Sequence, residues 1–204
     1  MPAKPTLEFF YEFASTYSYL CAIRIEELAA GAGIGIAWRP FLLGPIFTAQ
    51  GWTTSPFNIY PAKGRYMVRD VERIAKARGR TFLMPAVFPA NGLTAARIAL
   101  SGKAGGWIGD FSRRVYEAQF ERAADIADPA VLSAILEDMD LDPQAVFAAA
   151  NAPANKERLR AQSARAADLG IFGAPSFVTP DGELFWGDDR LDQALAWTRN
   201  GTPR

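Results

Sequence analysis

The stretch LEFFYEFASTYSYL, residues 7–20, decides the fold of this chain. Its first half, Leu7 to Phe13, is short, apolar and aromatic, which predicts a buried strand. Hydroxyl residues follow at once, and an apolar pattern near helical spacing runs from Tyr19 to Ala30. Because a hydroxyl residue directly before such a run is a helix N-cap signal, the stretch predicts a strand followed closely by a helix.

A second strand is predicted after this helix, where glycines are followed by the apolar run from Ile36 to Arg39, which Pro40 ends. Strand, helix and strand form a βαβ unit, which implies parallel pairing. From Phe41 to Ala62 the chain is rich in Pro, Gly and aromatic residues without clear periodicity. We therefore expect a long loop there, and long loops in compact domains are often functional.

A predominantly helical region follows and ends with one predicted helix over residues 143–169. The chain then returns to β structure, with a hairpin of Ser176–Thr179 and Leu184–Trp186, and closes with a helix over Leu191–Arg199. The order βαβ, helices, ββα is that of an α/β, thioredoxin-like fold with a large all-helical insertion. Accordingly we predict a thioredoxin-like domain from residues 1–63 and 170–204, and a helical insertion domain from 64–169.

Composition narrows the range of functions. Half of the 204 residues are hydrophobic, the formal net charge is zero, and no basic run exceeds two residues, so no nucleic-acid partner is expected. No run of about 18 apolar residues could span a membrane. The first residues also have no apolar signal-peptide core, so we expect a cytoplasmic protein.

The available side chains limit the chemistry further. Cys21 is the only cysteine and there is no histidine, so no Cys-x-x-Cys motif or imidazole-based nucleophile is possible. The common zinc ligand sets are also excluded, and no metal is expected. Cys21 is predicted to be a small buried apolar residue. The reaction must therefore use other side chains or a bound small molecule.

Ser15 is the first candidate catalytic residue, because it lies where the first strand meets the first helix. The amides and dipole at a helix N-terminus stabilise a nearby anion, and a serine hydroxyl could donate a further hydrogen bond to a thiolate held there. In a thioredoxin fold this junction holds Cys-x-x-Cys, and here Ser15 and Ser18 replace both cysteines. The alternative is that Ser15 or Thr16 only caps the helix.

Three later segments are candidates for ligand binding. Ala174-Pro175 enters a strand after a glycine, so it is a candidate cis bond whose preceding residue could pair with a peptide-like ligand. Asp188 and Asp189 could hold an ammonium group, or they could cap the last helix. Lys63 could meet a carboxylate, or it could be an ordinary solvated lysine.

In this order the motifs resemble the kappa-class glutathione transferases and 2-hydroxychromene-2-carboxylate isomerases, relatives of the DsbA-type thioredoxin fold. The resemblance covers nearly the whole chain. The segments that carry it are YEFASTYSYL (11–20), WRPF (38–41), PAKGRY (61–66), GIFGAP (170–175) and FWGDDRL (185–191).

The resemblance implies glutathione as cofactor, a small aromatic substrate and a homodimer. Ser15 would hydrogen-bond the glutathione sulfur, and Ala174, before cis Pro175, would pair with its cysteinyl unit. Asp188 and Asp189 would receive the γ-glutamyl end. Lys63 would meet a glutathione carboxylate or the substrate.

Two residues depart from the family pattern. Thr16 replaces the usual proline, and Ala174 is smaller than the usual aliphatic residue. Neither change removes a group that the implied chemistry needs.

The leading hypothesis is a glutathione-dependent cis–trans isomerase of 2-hydroxychromene-2-carboxylate-type compounds that acts by reversible thiolate addition. The runner-up is a kappa-class transferase or peroxidase, which consumes glutathione. A DsbA-like disulfide oxidoreductase is disfavoured by the two serines. A module that binds glutathione or peptides without turnover is a further alternative.

Overall fold

The computed structural model describes residues 4–201. Its strands are β1 (Thr6–Tyr11), β2 (Gly35–Pro40), β3 (Ser176–Val178) and β4 (Leu184–Trp186). Its α-helices are α1 (Thr16–Ala22), α2 (Ile25–Ala32), α3 (Leu43–Ala49), α4 (Pro56–Ile59), α5 (Pro61–Ala77), α6 (Leu93–Ser101), α7 (Ile108–Glu121), α8 (Pro129–Glu137), α9 (Pro143–Asn151), α10 (Pro153–Asp168) and α11 (Leu191–Asn200). A single 3₁₀ turn, Asp188–Arg190, leads directly into α11.

The four strands form one mixed sheet in the order β2-β1-β3-β4. Strand β1 is parallel to β2 and antiparallel to β3, and β3 is antiparallel to β4. The parallel pair is joined through α1 and α2, and the final hairpin is followed by α11, as predicted. The predicted thioredoxin-like fold class with inserted helices is therefore confirmed.

Alternation along β1 gives the sheet two buried faces. Leu7, Phe9 and Tyr11 face the main core, which includes residues of α1, α5, α6, α7 and α11. Phe10 points to the opposite face and packs in a smaller cluster with Phe41. Burial on both faces explains why this strand is a continuous apolar run in the sequence.

Two of the predicted helices are interrupted in the structure. The first ends at Ala22, and α2 begins at Ile25, because Arg24 leaves helical geometry with φ −134°. The predicted helix over 143–169 is divided into α9 and α10 at Ala152-Pro153, where Ala152 is extended. Proline removes an amide donor and disfavours helical geometry in the residue before it, which explains the second break.

The prediction of a loop from Phe41 to Ala62 was wrong, because α3 and α4 occupy half of it and α5 begins at Pro61. These helices are too short to produce a visible apolar period. The predicted domain boundary after residue 63 falls inside α5, and residues 1–3 and 202–204 lie outside the described residues. The division into domains stays a prediction. Within residues 4–201, no helix is both long and apolar enough to cross a membrane.

Candidate active site

One edge of the sheet brings together loops that are remote in sequence. The parallel strands β1 and β2 both end at this edge, the antiparallel strand β3 begins there, and β4 ends there. The neighbours Phe10, Ser176 and Trp186, on β1, β3 and β4, mark it. Consequently the loop before α1, the loop before β3 and the loop after β4 meet, although more than 150 residues separate the first two.

Ser15 is the N-cap of α1, and its backbone is extended. Its Oγ accepts the amide hydrogen of Ser18 at 3.1 Å, and its hydroxyl donates to the carbonyl oxygen of Ala174 at 2.9 Å. The side chain is only partly buried, so a ligand can reach it. Ser15 therefore caps the helix, and the same hydroxyl also reaches the segment before Pro175.

The loop before β3 connects the Ser15 hydroxyl to the loop after β4. The Ala174–Pro175 peptide bond is cis, and the Pro175 carbonyl accepts the amide hydrogen of Gly187 at 3.0 Å. Gly187 has a φ of +109°, and a Cβ there would lie 2.6 Å from Oδ1 of Asp189. Only glycine suits this position, because a side chain would be strained and would also clash.

The two adjacent aspartates have different environments. Asp188 is buried, with 4% of its side chain exposed, whereas 74% of the Asp189 side chain is exposed. Asp189 pairs with Arg190 at 3.0 Å, and an exposed pair of this kind contributes little to stability. Asp189 can therefore exchange its partner for a ligand at small cost.

Asp188 belongs to a buried polar cluster that the sequence analysis missed. We call the cluster the arginine clamp; it comprises Cys21, Arg24, Arg78 and Asp188. Arg78 binds the carboxylate through both terminal nitrogens, at 3.1 and 2.6 Å, and Arg24 approaches Oδ1 at 3.3 Å. The Cys21 thiol donates to the same Oδ1 at 3.2 Å. Burial raises the pKa of Cys21 well above its usual range, and the charge of Asp188 adds to this effect. Cys21 is thus a buried thiol, as predicted, but with a polar partner.

Helix α5 runs beside α1 in the same direction. The Thr16 hydroxyl donates to the sulfur of Met67 at 3.2 Å, and the Tyr17 hydroxyl donates to Asp70 at 2.9 Å. Lys63 lies one turn before Met67 on the same side of α5, so it is at the same end of α1 as Ser15. It is exposed, and we find no hydrogen bond or ion pair for it within residues 4–201.

Glu12 is a second group at this edge that the sequence analysis did not select. Its carbonyl oxygen accepts the amide hydrogen of Ser15 at 2.9 Å, so the residue shapes the turn into α1. Burial raises the pKa of the Glu12 carboxyl to about 7, and a hydrogen bond from the Ala14 amide partly opposes this shift. A carboxyl with a strongly shifted pKa next to a cleft is a frequent feature of active sites.

The structure thus brings Ser15, Ala174, Pro175 and the 188–189 pair to one edge, and Lys63, on α5, lies at the same end of α1 as Ser15. Their roles toward a ligand stay predictions. The sequence offered no signal for the partners of Asp188, because they lie on other elements. Within residues 4–201, we find no group of three or more His, Cys, Asp or Glu side chains that could hold a metal.

Comparison with known proteins gives the family. The model of the DSBA-like thioredoxin domain matches residues 6–196. A 2-hydroxychromene-2-carboxylate isomerase of Sphingobium xenophagum is 30% identical over 192 residues, which are 92% of this chain and 94% of that protein. The chain belongs to the 2-hydroxychromene-2-carboxylate isomerase family, within the DSBA-like thioredoxin domains. Both the resemblance drawn from the motifs and the prediction of an enzyme of this family are confirmed.

Two further comparisons show the same fold and a partial sequence match. A solved structure of a 2-hydroxychromene-2-carboxylate isomerase has the same fold, with a TM-score of 0.82 and 24% identity. The match covers 94% of this chain and 93% of that one. Glutathione S-transferase kappa 1 of Caenorhabditis elegans is 31% identical over 77 residues, 37% of this chain and 33% of that protein.

Proposed function

We propose that this protein is a glutathione-dependent cis–trans isomerase of 2-hydroxychromene-2-carboxylate-type aromatic compounds. The observation that carries the proposal is the 2.9 Å hydrogen bond from the Ser15 hydroxyl to the Ala174 carbonyl, at the first turn of α1. It places a reachable hydroxyl beside the backbone of a residue that precedes a cis proline. The names of the relatives supply the reaction, and the kappa-class match supports glutathione as the cofactor.

The residues at the edge of the sheet fit the parts of glutathione. The tripeptide offers a thiol, a peptide backbone, two carboxylates and one ammonium group. Ala174 provides backbone groups for the cysteinyl unit, and Asp189 is an exposed anion suited to the ammonium group. Lys63 is an exposed cation suited to a carboxylate of glutathione or of the substrate.

Glutathione, when bound, supplies a thiolate that adds reversibly to a conjugated double bond, which lets the bond rotate before the thiolate leaves. The role of Ser15 follows from the fact that its hydroxyl has only one proton to donate. That proton is now donated to the Ala174 carbonyl, so Ser15 must redirect it to stabilise a sulfur anion. A ligand amide that donates to the Ala174 carbonyl would replace the serine there and free its hydroxyl.

The charged groups give the site its polarity. An anion near Ser15 is favoured by the amino end of α1, whose first amides have no partners within the helix. Lys63, if it contacts the substrate, would stabilise negative charge on a carboxylate or on a developing enolate oxygen.

Calorimetry with reduced glutathione, followed by a turnover assay, tests the proposal. We expect saturable binding, and isomerisation of a 2-hydroxychromene-2-carboxylate that needs glutathione but leaves its total amount constant. Absence of binding, or turnover at the same rate without glutathione, would contradict the proposal.

A second candidate, a kappa-class transferase or peroxidase, is favoured by the partial match to glutathione S-transferase kappa 1. It would use the same thiolate on halogenated aromatics or hydroperoxides. Glutathione would then disappear in proportion to product, so the same assay separates the two activities. A disulfide oxidoreductase is disfavoured because Ser15 and Ser18 replace the cysteine pair, and we expect no reduction of insulin disulfides.

A further inference from the structure

The arginine clamp encloses the carboxylate of Asp188 and occupies most of its acceptor positions. An ionised carboxylate offers roughly four acceptor positions. Here Oδ1 accepts from Cys21, Arg24 and Arg78, and Oδ2 accepts from Arg78 at 2.6 Å. Oδ1 is fully occupied, and only 4% of the Asp188 side chain is exposed, so a ligand ammonium has little access to the position that remains on Oδ2. Asp188 is therefore poorly suited to hold the γ-glutamyl ammonium itself.

The clamp joins segments that would otherwise be independent. Arg78 is the C-cap of α5, and it also donates to the carbonyl oxygen of Leu20 in the last turn of α1, at 3.1 Å. Arg24 precedes α2 and donates to the backbone carbonyl of Asp188 at 3.0 Å. The 3₁₀ turn is thus held through both the backbone carbonyl and the side chain of Asp188. The two arginines that hold it flank α2 and α5, which are remote from the turn in the sequence.

The 187–190 turn, which the arginine clamp holds, also carries Asp189. Gly187 fixes one end of it through the bond to the Pro175 carbonyl, and Asp188 fixes the next residue through the clamp. Asp189 follows immediately and is exposed at the edge of the sheet. Its position relative to Ala174 therefore depends on the two anchors.

We propose that Arg78 and Arg24 are positioning residues, which hold the 187–190 turn through Asp188 so that Asp189 receives the ammonium group of glutathione. The inference rests on the proposed glutathione site and deepens it, because it assigns different roles to the two aspartates. Asp188 is an anchor within the protein, and Asp189 is the group that contacts the ligand.

The test compares two ligands by calorimetry: glutathione and glutaryl-cysteinyl-glycine, which lacks the ammonium group. We expect Arg78→Leu to raise the Kd of glutathione about tenfold and to leave that of the analogue nearly unchanged, because the displaced turn carries Asp189, which contacts only the ammonium group. We expect Asp189→Asn to weaken glutathione only. At saturating glutathione, kcat of Arg78→Leu should stay within about twofold of the wild type, since a positioning effect appears in binding.

Two more variants separate positioning from general destabilisation. Arg78→Lys keeps the charge but loses the two-pronged contact, so we expect about a threefold rise in Kd and a folded protein in any case. Arg160→Leu, on α10, removes an exposed pair with Glu157 and should change neither Kd nor kcat. Hydrogen exchange without ligand should be faster at residues 187–190 in both Arg78 variants than in Arg160→Leu.

The outcomes also distinguish this inference from the proposed function. If the wild-type protein binds no glutathione, the proposed function fails, and faster exchange of the turn would still show that the clamp holds it. If the wild type binds glutathione and the Arg78 variants bind equally well, the clamp has no positioning role. If Asp188→Asn, rather than Asp189→Asn, selectively weakens glutathione and not its analogue, the assignment of the two aspartates is overturned.

Discussion

The two ends of α1 are both surrounded by polar groups, but these groups are used differently. At the amino end, the Ser15 hydroxyl has one protein acceptor, the Ala174 carbonyl, and it remains partly exposed. At the carboxyl end, the arginine clamp binds both oxygens of a carboxylate that is 4% exposed. Helix α5 spans both ends, with Lys63 near the first and Arg78 at the second.

The polar groups at the amino end of α1 can change their hydrogen-bond partners, whereas those at the carboxyl end cannot. Removing one partner of a buried ion pair leaves an uncompensated charge, which is costly, whereas a partly exposed hydroxyl can redirect its proton at little cost. We infer that the carboxyl end of α1 holds the site together and the amino end receives the ligand. Substitutions at the carboxyl end should therefore change mainly the stability of the protein, and substitutions at the amino end should change mainly catalysis.

The largest effect is expected on stability, at the carboxyl end. Asp188→Ala leaves Arg78 without its anion and Arg24 with only the exposed Asp192 at 3.7 Å, and we expect the free energy of unfolding to fall by about 3–5 kcal/mol. Asp189→Ala, beside it, should cost less than about 0.5 kcal/mol because that side chain is exposed. Urea unfolding monitored by circular dichroism measures both. Equal losses would remove the contrast between the two aspartates.

At the amino end the effect is expected on catalysis. Ser15→Ala should lower kcat with glutathione about 100-fold, because it removes a donor to the sulfur anion, and it should cost about 1 kcal/mol of stability through the lost cap. A pH titration of bound glutathione, followed by the absorbance of its thiolate, should also show a higher pKa of the glutathione thiol in Ser15→Ala than in the wild type. Ser18→Ala is the control, since that side chain is fully buried. Unchanged turnover in Ser15→Ala would exclude Ser15 from the mechanism.

A smaller effect is expected from Lys63. Because its side chain is exposed, Lys63→Met should raise KM for glutathione or for the substrate only about threefold, and less at high salt. Lys76→Met, also exposed and on the last turn of α5, is the matched control and should leave KM unchanged. Similar KM values in both variants at low salt would show that Lys63 contacts neither molecule.

A further effect concerns the pH dependence of stability at the amino end. The pKa of Glu12 is about 7 in the folded protein against an ordinary value of 4.5. The folded state therefore binds more protons between these values, and its stability falls as the pH rises from 4.5 to about 7. Glu12→Gln should flatten the Tm profile over this range, whereas Glu137→Gln, at an exposed position, should not. If the Tm of Glu12→Gln still falls as the pH rises over this range, the pH dependence belongs to another titrating group.

Local sequence signals located the ligand end of α1 but not the clamp. Ser15 follows a buried strand and precedes a helix, so its role as N-cap could be predicted from neighbours within a few residues. Arg78 and Asp188 are 110 residues apart and have no motif of their own. Charged residues are usually solvated, so nothing in the sequence marks the buried ones. The wrong prediction for residues 41–62 has a different origin, because α3 and α4 span only seven and four residues and are too short to show an apolar period.

The sequence by itself determined the order of the strands and the helical insertion between them, the replacement of a cysteine pair by Ser15 and Ser18, and the absence of imidazole chemistry. These properties depend on residue type and short-range spacing alone. Only the tertiary structure decided that the Ser15 hydroxyl meets the Ala174 carbonyl, and that Asp188 is enclosed while Asp189 is exposed. The reason is physical: partners and burial depend on which distant segments the sheet and the packed helices bring together, and these contacts leave no local periodicity in the chain.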